Sequence, residues 1–125
     1  MNQRTALLIL LAGSLLTAVG CKTTVIEPGT DRSATYSMGA LTATIQHDMA
    51  TVYQAVEKAM GDLGLSVVQS VQDALEGKVV ARDAQDKKIT VTLVSAAKDM
   101  TEVKIAVGSM DKARRIHQAI HENLP

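Results

Sequence analysis

Phenylalanine and tryptophan are absent from this chain, and Tyr36 and Tyr53 are its only aromatic residues. Nucleobases and sugar rings are held on aromatic platforms, and there is little here to build one from. An excess of basic charge is missing too, because 13 Lys and Arg balance 13 Asp and Glu. A nucleic-acid partner, which needs a basic patch and a high pI, is therefore not expected. Cysteine is reduced to one residue, Cys21, so no intrachain disulfide can form even in an oxidising compartment. Its 125 residues allow one small domain with a Val, Ile, Leu, Ala and Met core.

Long hydrophobic runs are also lacking, with one short exception. The chain opens MNQRTALLILLAGSLLTAVGC, with Arg4 in a short basic head and an uncharged, largely apolar stretch from Thr5 to Gly20. At about 15 residues it is short for a membrane-spanning helix of ~20 and matches a secretory signal peptide. Small residues precede the cysteine, and Ala18-Val19-Gly20-Cys21 resembles a bacterial lipoprotein lipobox. The commonest residue three places before the cysteine of a lipobox is Leu, and here it is Ala18. The resemblance implies a signal peptide over 1–20, cleavage between Gly20 and Cys21, and a diacylglyceryl thioether on the Cys21 thiol. Two or more acyl chains hold a protein on a bilayer where one binds only marginally. Lys22 stands where Asp would be the familiar inner-membrane retention signal, which implies an outer-membrane anchor facing the periplasm.

Residues 21–33 then read as the acylated cysteine and a tether, since KTTVIEPGTDRS shows no periodicity. A single domain follows over 34–125. ATYSMGALTATIQ alternates in two half-stretches and is expected as one strand with a bulge at Gly39-Ala40. Met49, Val52, Tyr53, Val56, Met60 and Leu63 recur at helical spacing after Asp48, a natural N-cap, and Gly64 supplies the stop. Four period-two stretches come next: LSVVQSVQDALEG, KVVARDA, ITVTLVSA and TEVKIAVG, with turn signals at Glu76-Gly77, QDKK and AKDM. SMDKARRIHQAIHENLP closes the chain as a second helix on Ala113, Ile116, Ile120 and Leu124. The order β-α-β-β-β-β-α, with one apolar sheet face, predicts an α+β two-layer sandwich. Its mainly antiparallel sheet carries both helices on one face.

Three stretches, TVYQAVEKAMGDLGL, GKVVARDAQDKKITVTL and MTEVKIAVGSMDKARRIHQAI, resemble a small bacterial lipoprotein family known as a domain of unknown function. These are fold-pattern stretches, and the resemblance implies no catalytic residues and no cofactor.

The sharpest chemical candidate is HQAIHE, where His117 and His121 are spaced i, i+4 and can share a metal. Helical geometry sets His117 just past the edge of the apolar arc and His121 further toward solvent, which favours polar helix-edge residues over a metal site. Lys112, Arg114 and Arg115 form a basic cluster suited to lipid phosphates or an acidic partner, or to plain solvation of a helix face. Ser66, Ser70, Ser95 and Ser109 occur without a GxSxG elbow. Asp73, Glu76, Asp83 and Asp86 fall near turns. Lys78, Arg82, Lys88, Glu102 and Lys104 are placed on the polar face of the sheet, where solvation is the simplest role.

The expectation is thus a non-enzymatic envelope protein, lipid-anchored through Cys21, whose domain serves as an interaction or accessory module for an envelope partner. The rival is a periplasm-facing protein that binds a small ligand or metal.

Overall fold

The computed structural model describes residues 23–26 and 33–125, with side-chain environments from Ala34 onward. Nine elements follow in order: β1 (Thr23–Ile26), β2 (Ser33–Ser37), β3 (Ala40–Ile45), α1 (Met49–Asp62), β4 (Ser66–Gln72), β5 (Glu76–Arg82), β6 (Lys88–Ala97), β7 (Met100–Ala106) and α2 (Met110–Glu122). The strands form one antiparallel sheet in the order β1-β2-β3-β7-β6-β5-β4. Both helices pack on one face of it, so the expected α+β sandwich and the succession of elements from α1 onward are present.

The N-terminal third differs in detail from expectation. The single bulged strand is a hairpin: β2 and β3 are joined by Met38 and Gly39, both at positive φ (53° and 80°), a two-residue turn with left-handed backbone throughout. Within the stretch read as a tether, Thr23–Ile26 forms β1 and pairs with β2. Its Thr-Thr-Val-Ile sequence is rich in β-branched residues that favour extended backbone.

Period-two patterning sorts the sheet's side chains. Leu41, Ala43 and Ile45 share the helix-covered face with Val103 and Ile105, Ile89, Val91 and Leu93, and Val79 and Ala81; all are buried. Val52, Val56, Ala59 and Met60 of α1 and Ala113, Ile116 and Ile120 of α2 close over them in one core. Among the described residues that core runs from Ala34 to Ile120.

Local chemistry fixes the ends of the helices. Asp48 occupies the N-cap position of α1 in extended backbone, but its carboxylate accepts the Thr51 hydroxyl rather than a backbone N–H. At the far end the Leu65 N–H donates to the Met60 carbonyl (2.9 Å) and the Gly64 N–H to that of Gly61 (3.1 Å), with Gly64 at φ 69°. This is a Schellman stop, and it needs glycine at the left-handed position. Ser109 caps α2, its hydroxyl accepting the Lys112 N–H.

The turn expected at Glu76-Gly77 lies three residues earlier. Asp73 accepts the Leu75 and Glu76 N–H groups (2.8 Å each), while Glu76 and Gly77 open β5. Gly77 packs tightly: a Cβ there would sit 3.1 Å from Cδ2 of Tyr53, so the ring would have to give by a few tenths of an ångström. At the opposite end of β5, Asp83 accepts the Gln85 and Lys87 N–H groups (2.9 Å each) and turns the chain into β6.

Candidate functional site

The histidine pair is more enclosed than helical spacing implies. His117 is buried at 2% exposure, not at the margin of the core, together with Ala113, Ile116 and Ile120 of the same helix. His121 is half-buried one turn on, with its Nε2 3.0 Å from Nε2 of His117 and the two rings edge-to-face. One imidazole must donate and the other accept at that separation, so one of the two facing nitrogens is deprotonated. Among the described residues no three His, Cys, Asp or Glu side chains converge, so His47 does not join the pair.

The basic cluster divides on folding. The Lys112 Nζ donates to Asp83 Oδ2 at 2.9 Å, tying the first turn of α2 to the β5–β6 loop. That contact, with the Lys87 N–H, holds the Asp83 carboxyl below the usual carboxylate range. Arg114 and Arg115 stay exposed. Arg115 borders a cleft of about 190 Å³ together with Lys112 and Asp83, floored by Leu63, Leu65, Ile89 and Ile116. No sequence pattern marks this cleft, because its walls come from both helices, the β5–β6 loop and the start of β6.

On the uncovered sheet face, register sets Thr92 between Lys104 and Lys78 in one cross-strand row, with Arg82 beside Lys88 and Glu102 beside Thr44. All five charged residues are exposed, as patterning anticipates. Val80 departs from it: it lies on this face, opposite Thr90 and Gln69, yet is 4% exposed.

The least expected surface is β4. It ends the sheet, and every one of its residues is exposed. Val67, Val68 and Val71 are 43%, 57% and 53% exposed, with Leu63 and Leu75 exposed at either end of the same edge. SVVQSVQ contains no Lys, Glu, Asp or Pro, the residues that commonly blunt an open edge. Its one irregularity is a register shift between Val67 and Gln69. Ser70 fastens the strand to α1: it donates to Glu57 Oε1 (2.8 Å) and shares a hydrogen bond with the Tyr53 hydroxyl. Tyr53 and Glu57 are one turn apart on α1, a spacing that could have flagged a shared partner. Ser66 and Ser109 serve a strand and a helix cap, and the Ser95 hydroxyl lies at the β6–β7 turn.

Gly20 and Cys21, with the whole 1–20 segment, lie outside the described residues. No helix among the described residues is long and apolar enough to cross a membrane. A family model described as "Protein of unknown function (DUF3568)" matches residues 4–123. Among curated proteins none matches the chain.

Proposed function

The chain belongs to the DUF3568 family of proteins of unknown function, and we propose that it is a non-enzymatic interaction module, held at the bacterial envelope by lipid on Cys21. The observation that carries the interaction half is the β4 edge. An open strand offers a ladder of unpaired N–H and C=O groups, and an extended segment of a partner can add to it as a further strand. Here that edge is uncharged and flanked by exposed Val67, Val68 and Val71. The anchor half is supported by sequence: Arg4, the apolar run, the small residues before Cys21, and Lys22 after it as the basis for outer-membrane placement.

A photo-crosslinking residue at Val68 or Val71, followed by mass spectrometry of intact envelopes, tests the interaction half. A discrete envelope partner captured from β4, and not from the same probe at Thr44 on the open sheet face, is expected. Equal capture from both sites removes the role of β4. For the anchor, Cys21→Ser should abolish acylation and leave the precursor uncleaved at Gly20. A normally processed, membrane-bound variant refutes it.

A small-ligand- or metal-binding protein, the rival reading, would have to use the cleft beside Arg115. At about 190 Å³ it lies below the ~300–1,000 Å³ of ordinary small-molecule sites. A large thermal shift with a ligand or metal and no protein partner would favour that reading.

A further inference from the structure

Strand register sorts the charged loops of the domain into two opposed ends. One end holds the start of β1, the Met38–Gly39 turn, the β5–β6 loop, the exit of α1 and the entry into α2. This follows because Thr23 lies opposite Tyr36, Ala40 opposite Ala106, Arg82 opposite Lys88 and Ser66 opposite Arg82. Asp83 and Asp86 at this end are ion-paired with Lys112 and Arg82. Lys87, Lys88, Arg114 and Arg115 are exposed, and among the described residues they make no ion pair. Asp62, Asp111 and Glu122 are the remaining acids near them; Asp62 accepts from Asn123, the residue after Glu122 (2.9 Å). The opposite end, with the β4–β5 and β6–β7 turns, exposes Asp73, Glu76, Asp99 and Glu102 against one described cation, Lys98. A neutral chain has thus folded into a domain with a basic pole and an acidic pole.

A second observation singles out the basic pole. Met38 is 100% exposed at the tip of its hairpin and sits at φ 53°. A two-residue turn with positive φ favours Asn, Asp or Gly at that position, and left-handed backbone costs other residues about 1 kcal/mol. Neither packing nor backbone preference accounts for a methionine there.

We infer that the basic pole is a membrane-docking surface. Lys87, Lys88, Arg114 and Arg115 meet anionic lipid headgroups, and Met38 enters the interfacial layer. The strands then stand on the bilayer with the acidic pole outermost, and the β4 edge is displayed along its length. The charge separation and Met38 are independent of the anchor reading.

The test uses residues 22–125, which contain every described core residue and lack cysteine. Their partition is measured onto vesicles of phosphatidylcholine alone and of equal parts phosphatidylcholine and phosphatidylglycerol. Binding to the anionic vesicles only, weakening as salt rises, is expected. Lys87→Gln with Lys88→Gln should lower the partition about 30-fold, and Arg115→Gln about 5-fold, at about 1 kcal/mol per cation. Met38→Ser should lower it about 10-fold, and Lys98→Gln should leave it unchanged. Equal partition onto both vesicles, no partition, or a loss with Lys98→Gln matching that of Arg115→Gln overturns the inference. So does abolition by inorganic phosphate at constant ionic strength, which would mark a site for free anions. Failure of the anchor appears instead in the processing of Cys21→Ser, a separate readout.

Discussion

Neighbouring strands β4 and β5 each have seven residues, and each contains valines at a density that suggests burial. β5 buries Gly77, Val79, Val80 and Ala81, whereas β4 buries nothing. Hydropathy does not separate them; position does. Both lie against α1, but β5 has a strand on each side, while β4 has one neighbour and an open flank. Residue type therefore makes a strand possible, and its place in the sheet decides whether those valines form a core or a surface.

A charge placed on each strand breaks the comparison most sharply. Val79 is fully enclosed, and Val79→Asp buries a carboxylate with no partner, so a loss of about 4 kcal/mol or more is expected. Against a total stability of roughly 5–15 kcal/mol, that brings the domain close to unfolding. Val71→Asp on β4 should change stability by no more than about 0.5 kcal/mol, since its side chain is open to water beside Lys78. Urea denaturation of the two variants checks this. Equal losses would mean that β4 is covered in solution by something the isolated fold does not supply.

The next expected effect is one of volume. Gly77→Ala pushes a methyl toward the Tyr53 ring and should cost about 1–2 kcal/mol. Gly61→Ala, in the last turn of α1 with open space around it, should have the opposite sign and stabilise by about 0.5–1 kcal/mol. Thermal midpoints of the two variants should move apart. If Gly77→Ala is neutral, Tyr53 is free to shift and does not pin β5 to α1.

That contrast between the glycines also marks how far the sequence can be read. Both helices were legible because Val52, Val56 and Met60, and Ala113, Ile116 and Ile120, repeat at helical spacing between recognisable stops. The central strands were legible because Ile89-Val91-Leu93 and Val103-Ile105 alternate cleanly with polar residues. Met38-Gly39 was not, since a bulge and a hairpin both shift the alternation and Met is an unusual residue for that turn. Gly77 resembles a turn glycine in sequence because its close neighbour, Tyr53, is 24 positions away in the numbering. His117 was placed at the core's margin because an arc drawn on one helix ignores the surface packed against it. Of the surfaces described, the basic cluster was visible as Lys112, Arg114 and Arg115. Their gathering at one pole with Lys87 and Lys88 needs the register of five strands.

A smaller effect concerns what holds β4 in place. With little apolar burial, the strand is fastened to α1 through Ser70, Tyr53 and Glu57. Tyr53→Phe and Ser70→Ala should each cost about 1 kcal/mol, and the double variant should cost less than their sum. Amide exchange should quicken in β4 and not in β5. Additive losses would show that the two hydroxyls stabilise the fold separately.

The gentlest perturbation compares the two loops at the ends of β5. Asp73 is held by the N–H groups of Leu75 and Glu76, and that is what lowers its carboxyl pKa. Asp83 is lowered first by Lys112 and then by the Lys87 N–H. Both folded-state pKa values lie below the unfolded value of about 3.9. Each carboxylate therefore contributes stability that is present above pH ~4 and lost as pH falls through its folded pKa. Asp73→Asn and Asp83→Asn should each flatten the acid limb of thermal midpoint against pH, leaving the neutral-pH shape intact. Salt separates them, because an ion pair with a half-exposed lysine is screened whereas hydrogen bonds to neighbouring N–H groups are not. The part of the acid limb removed by Asp83→Asn should shrink in high salt, and the part removed by Asp73→Asn should persist. If both shrink alike, the Lys112–Asp83 contact adds nothing beyond the loop itself, and α2 is held by its packing on α1, β3 and β7.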